Sequence, residues 1–170
     1  MDPVVSPAAS SRPLRRSERE LTEPAELDSV LREAQVLYLA FHDEPAPYVV
    51  PVCFGHDNGV LYVHSAREGT KLDLLRADPL VGFCASTDME VVSAGSPCAF
   101  SCRARSVAGT ATARVVEEEP ERLRGLDAIM RHYAAGGTDA LPDPAYKTGS
   151  LTRTCILALR IESMRGKRTG

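Results

Sequence analysis

A short polar loop between a strand and a helix is the segment best suited to bind a phosphate group. Residues 66–71, Ala-Arg-Glu-Gly-Thr-Lys, follow a strand that ends at His64 and Ser65, and a helix is expected to begin within them. A helix N-terminus offers backbone N–H groups, to which Thr70 adds a hydroxyl and Lys71 an ammonium. This is not a Walker loop, because the first glycine of that pattern is absent. The same residue types also occur in loops that bind nothing, so the loop alone leaves the assignment open.

Pro51 and His64 are the other two residues near this loop with a chemical meaning. Pro51 interrupts an apolar run, and a proline cannot donate to a sheet ladder, so its strand lies at an edge or faces something other than a strand. A flat ligand lying against that strand would fit. His64 carries an imidazole, a group that can donate a proton to a bound substrate. Taken singly, Pro51 also fits a plain barrel edge, and His64 a solvent-facing strand residue.

The remaining reactive side chains do not form a recognisable metal or hydrolase site. Cys98 and Cys102 are four apart, which on a strand places them about 13 Å from each other, and zinc sites show tighter spacings. No metal site is therefore expected. The acidic run Glu117 to Glu119 is interpreted as the start of a helix. The sequence contains no Gly-x-Ser-x-Gly elbow, no His-Glu-x-x-His helix and no dinucleotide-binding glycine pattern.

Two substantial helices are predicted to flank these segments. The first has Thr22 as its cap and Pro24 in its first turn, and apolar residues at helical spacing form its buried face: Leu27, Val30, Leu31 and Ala34. The second follows Pro120, ends at Gly136-Gly137, and buries a face formed by Leu123, Leu126, Met130 and Tyr133. A shorter helix is expected over Gly69 to Arg76.

Six or seven strands are predicted, and most of them meander. They cover 36–41, 48–54, 60–65, 79–84 and 155–161, while 100–116 forms either two strands or one strand bent at Gly109. His56-Asp57-Asn58-Gly59 predicts a tight hairpin, because Asn-Gly accepts positive φ values. Helices and strands do not alternate regularly, which argues against a parallel sheet. A mainly β protein with flanking helices, built as a closed or partly closed antiparallel barrel, is the expected fold.

The composition describes an ordinary globular chain. Net charge is −3 and the pI is about 5.8, so neither nucleic acid nor an anionic membrane is an expected partner. No apolar run reaches the length of a membrane span, and no secretory signal is seen. The five cysteines are expected to be reduced, packed thiols in a cytoplasmic protein. Residues 1–13 are expected to be disordered, and the basic clusters at 12–19 and 165–168 to be solvated tails.

Several segments together resemble one family, the pyridoxamine 5′-phosphate oxidase-like flavin proteins, and within it the nitroimidazole-resistance (Nim-type) branch. The resemblance covers about residues 14 to 167, which form a single domain, and its middle section is the most specific part. The matching segments are Arg15-Arg16 with Arg19, 47–52 with Phe54-Gly55, 61–66, Glu68-Gly69, Lys71-Leu72, Asp78-Pro79 with Val81, Arg105-Ser106-Val107, and the run from Ile161 to Lys167.

The resemblance implies a homodimeric split β-barrel with FMN in a groove at the subunit interface. In such proteins the strand matching Val50, Pro51 and Val52 runs along the isoalloxazine ring. The segment matching His64, Ser65 and Ala66 lies near the ring and ribityl chain, and the loop matching Gly69, Thr70 and Lys71 holds the phosphate. Arg105 and Ser106 would approach the cofactor from one subunit or the other. Glu68 completes the set of expected cofactor-binding residues, and His64 is also the expected catalytic residue.

Three positions depart from the family pattern. Thr70 stands where the family usually has arginine, which removes a bidentate phosphate partner and is expected to weaken FMN binding. Ala104 stands in place of a common aromatic residue, and Ala111 in place of glycine. These changes concern the shape of the pocket more than the fold.

The expected function is that of an FMN-dependent oxidoreductase acting on a small electron-poor substrate. Nitro compounds are the substrate class that the Nim-type resemblance suggests, with a reduced nicotinamide as the electron donor. Two alternatives stay open. One is a non-catalytic flavin or haem binding protein, and the other is a deazaflavin-dependent reductase on the same barrel. Pyridoxamine-phosphate oxidation itself is disfavoured, because the C-terminal arginine–histidine substrate motif is absent.

Overall fold

A computed structural model describes residues 14–134 and 154–170. The predicted disordered tail at 1–13 and the predicted helix stop at Gly136-Gly137 lie outside these residues. The described part contains three α-helices, two 3₁₀ turns (Ser17–Arg19 and Pro97–Ala99) and eight strands. The helices are α1 (Pro24–Glu33), α2 (Thr70–Ala77) and α3 (Glu119–Tyr133). The strands are β1 (Glu20–Leu21), β2 (Leu37–Phe41), β3 (Tyr48–Val52), β4 (Phe54–Asp57), β5 (Val60–Ser65), β6 (Leu80–Val92), β7 (Ser101–Val115) and β8 (Cys155–Thr169).

The strands form one antiparallel sheet in the order β3-β2-β6-β7-β8-β5-β4, with β1 paired to β8. Its two outer strands, β3 and β4, are joined by the single residue Cys53. The sheet must therefore curl until its two ends meet. No ladder pairs the described strands β3 and β4, and the covalent link through Cys53 closes the barrel instead. The mainly β architecture with flanking helices is confirmed.

Local sequence signals placed the hairpin between β4 and β5 correctly. Asn58 and Gly59 have φ values of +48° and +77°, as a two-residue turn with both central residues at positive φ requires. The predicted strand 48–54, by contrast, is two strands, because the chain breaks at Cys53 to pass from one end of the sheet to the other. This break and the short strand β1, which was not predicted, bring the described strands to eight.

Two of the last three strands, β6 and β8, are longer than predicted. β6 continues past Cys84 to Val92, and β8 continues past Ile161 to Thr169, each pairing with the single long strand β7. β7 keeps one direction throughout, and its pairing with β8 is irregular next to Gly109, between Thr110 and Ala111. The predicted basic tail at 165–168 was wrong, because these residues are part of β8.

A large apolar core fills the barrel, and a smaller cluster lies beneath α3. Leu31, Leu39, Phe54, Leu61 and Leu159 in the barrel are fully buried. The smaller cluster packs α3 against the outer side of β5 and β8, and consists of Tyr62, Val116, Ala128, Ile129, Ile156 and Ala158. The core thus fixes where the ends of β3, β5 and α2 lie.

The helices differ from prediction in two details. α1 is capped by Glu23 without a side-chain hydrogen bond, so the prediction of a Thr22 cap was wrong. The buried residues of α3 are Gly125, Ala128 and Ile129, whereas the predicted face is only half-buried. Small residues allow the helix backbone to approach the sheet closely, which a count of large apolar residues does not reveal.

The cysteines are less packed than expected. All five are free thiols, and only Cys155 is buried, while Cys102 is half-buried and Cys53, Cys84 and Cys98 are exposed. The prediction of packed thiols is wrong for these last three, since they lie on outward-facing or hairpin positions.

Candidate functional site

Pro51 lies on the edge strand β3, where the sequence placed it. Among the described residues its one ladder partner is Tyr38 of β2, and its side chain is exposed. The missing N–H of a proline costs nothing at such an edge. One long side of β3 is therefore available to a ligand, and Val50 and Val52, on the other face of the strand, pack against the barrel core.

Several small side chains lie on the outer face of the sheet beside Pro51. Residues directly opposite each other in a ladder project to the same face. One row across the sheet contains Pro51, Tyr38, Cys84, Ala108 and Arg165, and the next row contains Val49, Ala40, Gly82, Thr110 and Ser163. Tyr38 is 48% exposed and Val49 is 55% exposed, so this face carries exposed apolar surface.

His64 is brought next to the end of β3. Phe54 pairs with Val63 in the β4–β5 ladder, so Cys53 and His64 are the next residues along the two segments from this pair. Both side chains are exposed. The connection between β3 and β4 therefore brings close together the two segments that the sequence analysis singled out.

Tyr133 of α3 holds this junction in place. The backbone N–H of Phe54 donates to the Tyr133 hydroxyl at 3.2 Å, and the hydroxyl donates to the carbonyl of Gln35 at 2.9 Å. Burial raises the pKa of Tyr133, so the phenol stays protonated and able to donate. Sequence reasoning missed Cys53 and Tyr133. The run from 48 to 54 conceals the strand break, and a tyrosine at a helix end looks like a packing residue.

The loop after β5 has the backbone geometry expected of a phosphate site. Gly69 caps α2 with a φ of +116°, a conformation that favours glycine. The N–H groups of Leu72 and Asp73 both donate to the Gly69 carbonyl. The two preceding amides, those of Thr70 and Lys71, lie ahead of these first intrahelical bonds, and the cap has no side-chain hydrogen bond. Glu68 and Ala66 are exposed in the same loop.

A basic cavity of about 340 Å³ adjoins this loop. Its cationic residues are Arg67, Arg76 and Arg122, and the rest of its lining is formed by Leu72, Val115, Val116, Glu117, Thr154 and Cys155. Burial raises the pKa of the Cys155 thiol, and the nearby guanidinium groups oppose this rise. The start of α2 is thus surrounded by positive charge on more than one side.

Arg105 and Ser106 project to opposite sides of β7. The guanidinium of Arg105 donates to Asp88 at 2.5 Å, to Ser29 at 2.8 Å and to Glu33 at 2.5 Å, so it joins the β6–β7 hairpin to α1. Ser106 lies opposite Ser86 and Lys167 on the outer face, three strands from β3. Within one chain, neither residue is brought to His64, and Arg105 faces away from the row that holds Pro51.

The structure shows where two of the three residues that depart from the family pattern lie. Ala111 is fully buried in the barrel, and Ala104 pairs with Thr169 near the end of β8.

Within residues 14–134 and 154–170, no group of three or more His, Cys, Asp or Glu side chains could hold a metal ion. None of the described helices is long and apolar enough to cross a membrane.

The closed sheet, the edge strand β3 and the loop at α2 together define a split β-barrel protein. A family model described as pyridoxamine 5′-phosphate oxidase matches residues 23–168. The chain belongs to this family, and the resemblance seen in the sequence is confirmed.

Solved structures agree with this assignment. A candidate 5-nitroimidazole antibiotic resistance protein from Bacteroides thetaiotaomicron has a TM-score of 0.72 and 28% identity, over 89% of this chain and 87% of that one. The FAD and haem binding protein from Mycobacterium smegmatis has a TM-score of 0.76 and 25% identity, over 89% and 73%. The flavocytochrome Anf3 from Azotobacter vinelandii has a TM-score of 0.79 and 18% identity, over 96% and 75%, which supports the fold alone. A search of curated proteins gave no match.

Proposed function

We propose that this chain binds FMN in a groove formed by β3, the end of β5 and the start of α2, and acts as a flavin-dependent reductase. The observation that carries the proposal is the succession of three features next to the β3–β4 junction. These are the exposed edge strand at Pro51, the exposed imidazole of His64 one residue beyond the Phe54–Val63 pair, and the helix start at Gly69.

The residues present fit an FMN molecule. Small side chains beside Pro51, such as Ala40, Gly82 and Ala108, leave a level surface on which a planar ring can lie. The phosphate would be bound by the amides of Thr70 and Lys71 and by the Lys71 ammonium, because a helix N-terminus and a cation both favour an anion. Thr70 supplies one hydroxyl where an arginine would supply a bidentate fork, so we expect micromolar affinity for FMN.

When bound, the flavin supplies the redox chemistry by accepting a hydride equivalent and passing electrons on to an acceptor. His64 would hold a proton near the reacting atoms of the acceptor, since an imidazole exchanges protons near neutral pH. Cys53 and the Tyr133 hydroxyl would fix the position of the strand end beside it. A reduced nicotinamide is the proposed donor.

A homodimer is part of this proposal. The outer face that carries Tyr38 and Val49 is apolar and exposed, and a symmetric partner is the commonest means of covering such a face. Ser106 and Lys167 lie on the same face, so a second copy docked there would bring its own Ser106 towards the groove.

The similar structures suggest two substrate or ligand classes. The Bacteroides thetaiotaomicron protein is described as a candidate 5-nitroimidazole resistance protein, which supports a small nitroaromatic compound as the acceptor. The Mycobacterium smegmatis protein binds FAD and haem, which favours a second candidate function, that of a flavin or haem carrier without turnover. The presence of Thr70 in place of arginine agrees with a ligand other than FMN.

The first experiment is a visible absorption spectrum of the purified protein, followed by titration of the apo form with FMN. Flavin bands near the blue, or saturable binding at micromolar FMN, would support the proposal, whereas a Soret band would favour the haem carrier. A colourless protein that does not bind FMN would overturn the cofactor assignment.

Lys71→Ala should weaken FMN binding by about tenfold or more. The exposed, ion-paired Arg160 gives a control, since Arg160→Ala also removes one cation and should leave binding unchanged.

The catalytic part is tested separately with the FMN-loaded protein. Reduced nicotinamide and a nitroaromatic acceptor should be consumed together, and His64→Asn should lower kcat while the FMN affinity stays within about threefold. Binding of FMN without any turnover in the wild type, over a panel of nitro and quinone acceptors, would leave the carrier function standing and rule out the reductase.

A further inference from the structure

A second basic surface lies at the other end of β8, and we call it the basic basin. It is a concavity of about 450 Å³ lined by Leu14, Arg15, Arg16, Arg19, Lys167 and Thr169. Its four cations come from two segments about 150 residues apart in the chain, and within the described residues no carboxylate lines it. A concavity of this size accommodates part of a nucleotide.

The cations of the basin differ from most arginines on the sheet in having no acidic partner. Seven arginines have a carboxylate oxygen within 3 Å in the described structure: Arg76, Arg103, Arg105, Arg114, Arg160, Arg165 and Arg168. Over the same described residues, Arg15, Arg16, Arg19 and Lys167 form no ion pair. Like charges gathered without counter-charges repel one another, and a bound anion would relieve that repulsion.

The nearest acidic residues are already engaged or lie outside the basin. Glu20 stands directly opposite Lys167 in the β1–β8 ladder. Its carboxylate, however, accepts two hydrogen bonds from Arg165, at 2.6 and 2.9 Å. Glu18 is exposed in the same segment and does not line the concavity. The positive charge of Lys167 is therefore directed at the basin.

Local structure brings the backbone of two of these arginines close together. Ser17–Arg19 is a 3₁₀ turn in which the N–H of Arg19 donates to the carbonyl of Arg16, the N-cap residue, at 3.1 Å. β1 follows at once and pairs with β8, Glu20 lying opposite Lys167. The turn therefore lies next to the end of β8, and Arg16, Arg19 and Lys167 line one concavity.

The basin is separate from the loop at the start of α2. That loop adjoins the Cys155 end of β8, because Ser65 pairs with Cys155. Lys167 lies twelve residues further along the same strand, roughly 40 Å of extended chain at about 3.3 Å per residue. On the outer face Lys167 is opposite Ser106, so the basin belongs to the surface proposed above as the subunit interface.

We propose that the basic basin binds the phosphate or pyrophosphate group of a nucleotide. Its several cations and the hydroxyl of Thr169 match a polyvalent oxyanion, since guanidinium groups bind phosphate oxygens with charge-assisted hydrogen bonds. Phosphate binding at the basin does not depend on the proposed function, whereas the role assigned to the nucleotide rests on it. The nucleotide is either the adenylate half of a dinucleotide flavin whose FMN half is bound by the other subunit of the proposed dimer, or a separate nucleotide such as the reduced nicotinamide donor.

The test uses inorganic pyrophosphate as the probe and the full chain without flavin. Isothermal titration at low ionic strength should show saturable binding that weakens as salt is added. The double variant Arg16→Ala/Lys167→Ala should lose at least tenfold in affinity, because each removed charged partner accounts for about an order of magnitude. Arg160→Ala, which removes an ion-paired cation from the same strand, is the matched control and should bind like the wild type.

Since these residues are exposed at the surface, circular dichroism should show wild-type folding for every variant. Equal pyrophosphate affinity in the wild type and the double variant would overturn the proposal, as would the absence of binding. Because no flavin is present, this result is independent of whether the protein binds FMN.

A second set of titrations identifies the source of the phosphate. Tighter binding of FAD than of FMN, with the difference removed by the double variant, would assign the basin to a dinucleotide flavin. Binding of ADP to the FMN-loaded protein, again weakened in the double variant, would assign it to a separate nucleotide. If neither FAD preference nor ADP binding responds to the double variant, the basin does not recognise nucleotides and the proposal fails.

Discussion

Replacing Gly55 by alanine should displace α3 and loosen the strand junction beside His64. A Cβ built at Gly55 lies 2.5 Å from the carbonyl oxygen of Ala128 and closer still to the carbonyl carbon of Ala128 and the amide nitrogen of Ile129. These are backbone atoms of a helix, which cannot move aside as the end of a flexible side chain can. The helix must therefore move as a unit, and Tyr133 at its end would be drawn away from Phe54.

The size of the effect follows from the cost of overpacking. Forcing an extra methyl group into a packed interior costs about 1–3 kcal/mol, and the rigid backbone partner places this case near the upper end. A loss of about 3 kcal/mol corresponds to a fall in Tm of about 6–12 °C for a chain of this length. Gly95→Ala is the matched control, because a Cβ there meets nothing within 4 Å and its backbone is not at positive φ.

Urea unfolding followed by far-ultraviolet circular dichroism measures both variants, since the chain has no tryptophan to report by fluorescence. Gly95→Ala should remain within about 1 kcal/mol of the wild type, on either side. If Gly55→Ala unfolds at the same urea concentration as Gly95→Ala, the close approach of α3 to β4 is not what holds the junction, and the reasoning is refuted.

Three further predictions concern single side chains around the site. Tyr133→Phe removes the hydroxyl that bridges Phe54 and Gln35, and should cost about 1 kcal/mol in urea unfolding; an unchanged midpoint would contradict this. Burial lowers the pKa of His56 below 6.5, so as the pH falls the unfolded chain is protonated before the folded one, and the free energy of unfolding should decrease below about pH 6.5. His56→Gln should make the free energy of unfolding depend less on pH in this range. Parallel pH profiles for the wild type and the variant would argue against this role of His56. Arg105→Lys keeps the charge but loses the forked contacts to α1, and should lower the free energy of unfolding in urea by about 1 kcal/mol; an unchanged midpoint would contradict a stabilising role for these contacts.

Much of the local structure could be predicted because its causes are local. Asn58-Gly59 specifies its turn through backbone conformation alone, and Pro24 sits in the first turn of α1 as its fixed φ allows. Pro51 indicated an edge strand because its missing N–H is independent of any partner. The polar loop ending in Lys71 was found in the same way, since the amides of a helix start follow from the helix itself.

Features that depend on a distant partner could not be predicted. β6 extends to Val92 because β7 pairs with it, although Ser86 and Thr87 look like the end of a strand. The buried side of α3 is set by the close approach of Gly125, and a Cβ there would lie 2.8 Å from the ring of Tyr62. In both cases the decisive contact joins residues far apart in sequence.

The candidate site shows the same division. The sequence by itself determined which segments could contact a planar ligand and a phosphate, because proline, histidine, and a Gly-Thr-Lys helix start carry their chemistry wherever they lie. Only the tertiary structure decided that the β3–β4 junction lies beside the end of β5, that Arg105 contacts α1, and that Arg16 and Lys167 line one concavity. Strand register and barrel closure settle these neighbours, and both arise from pairing across the whole chain, which local preferences do not specify.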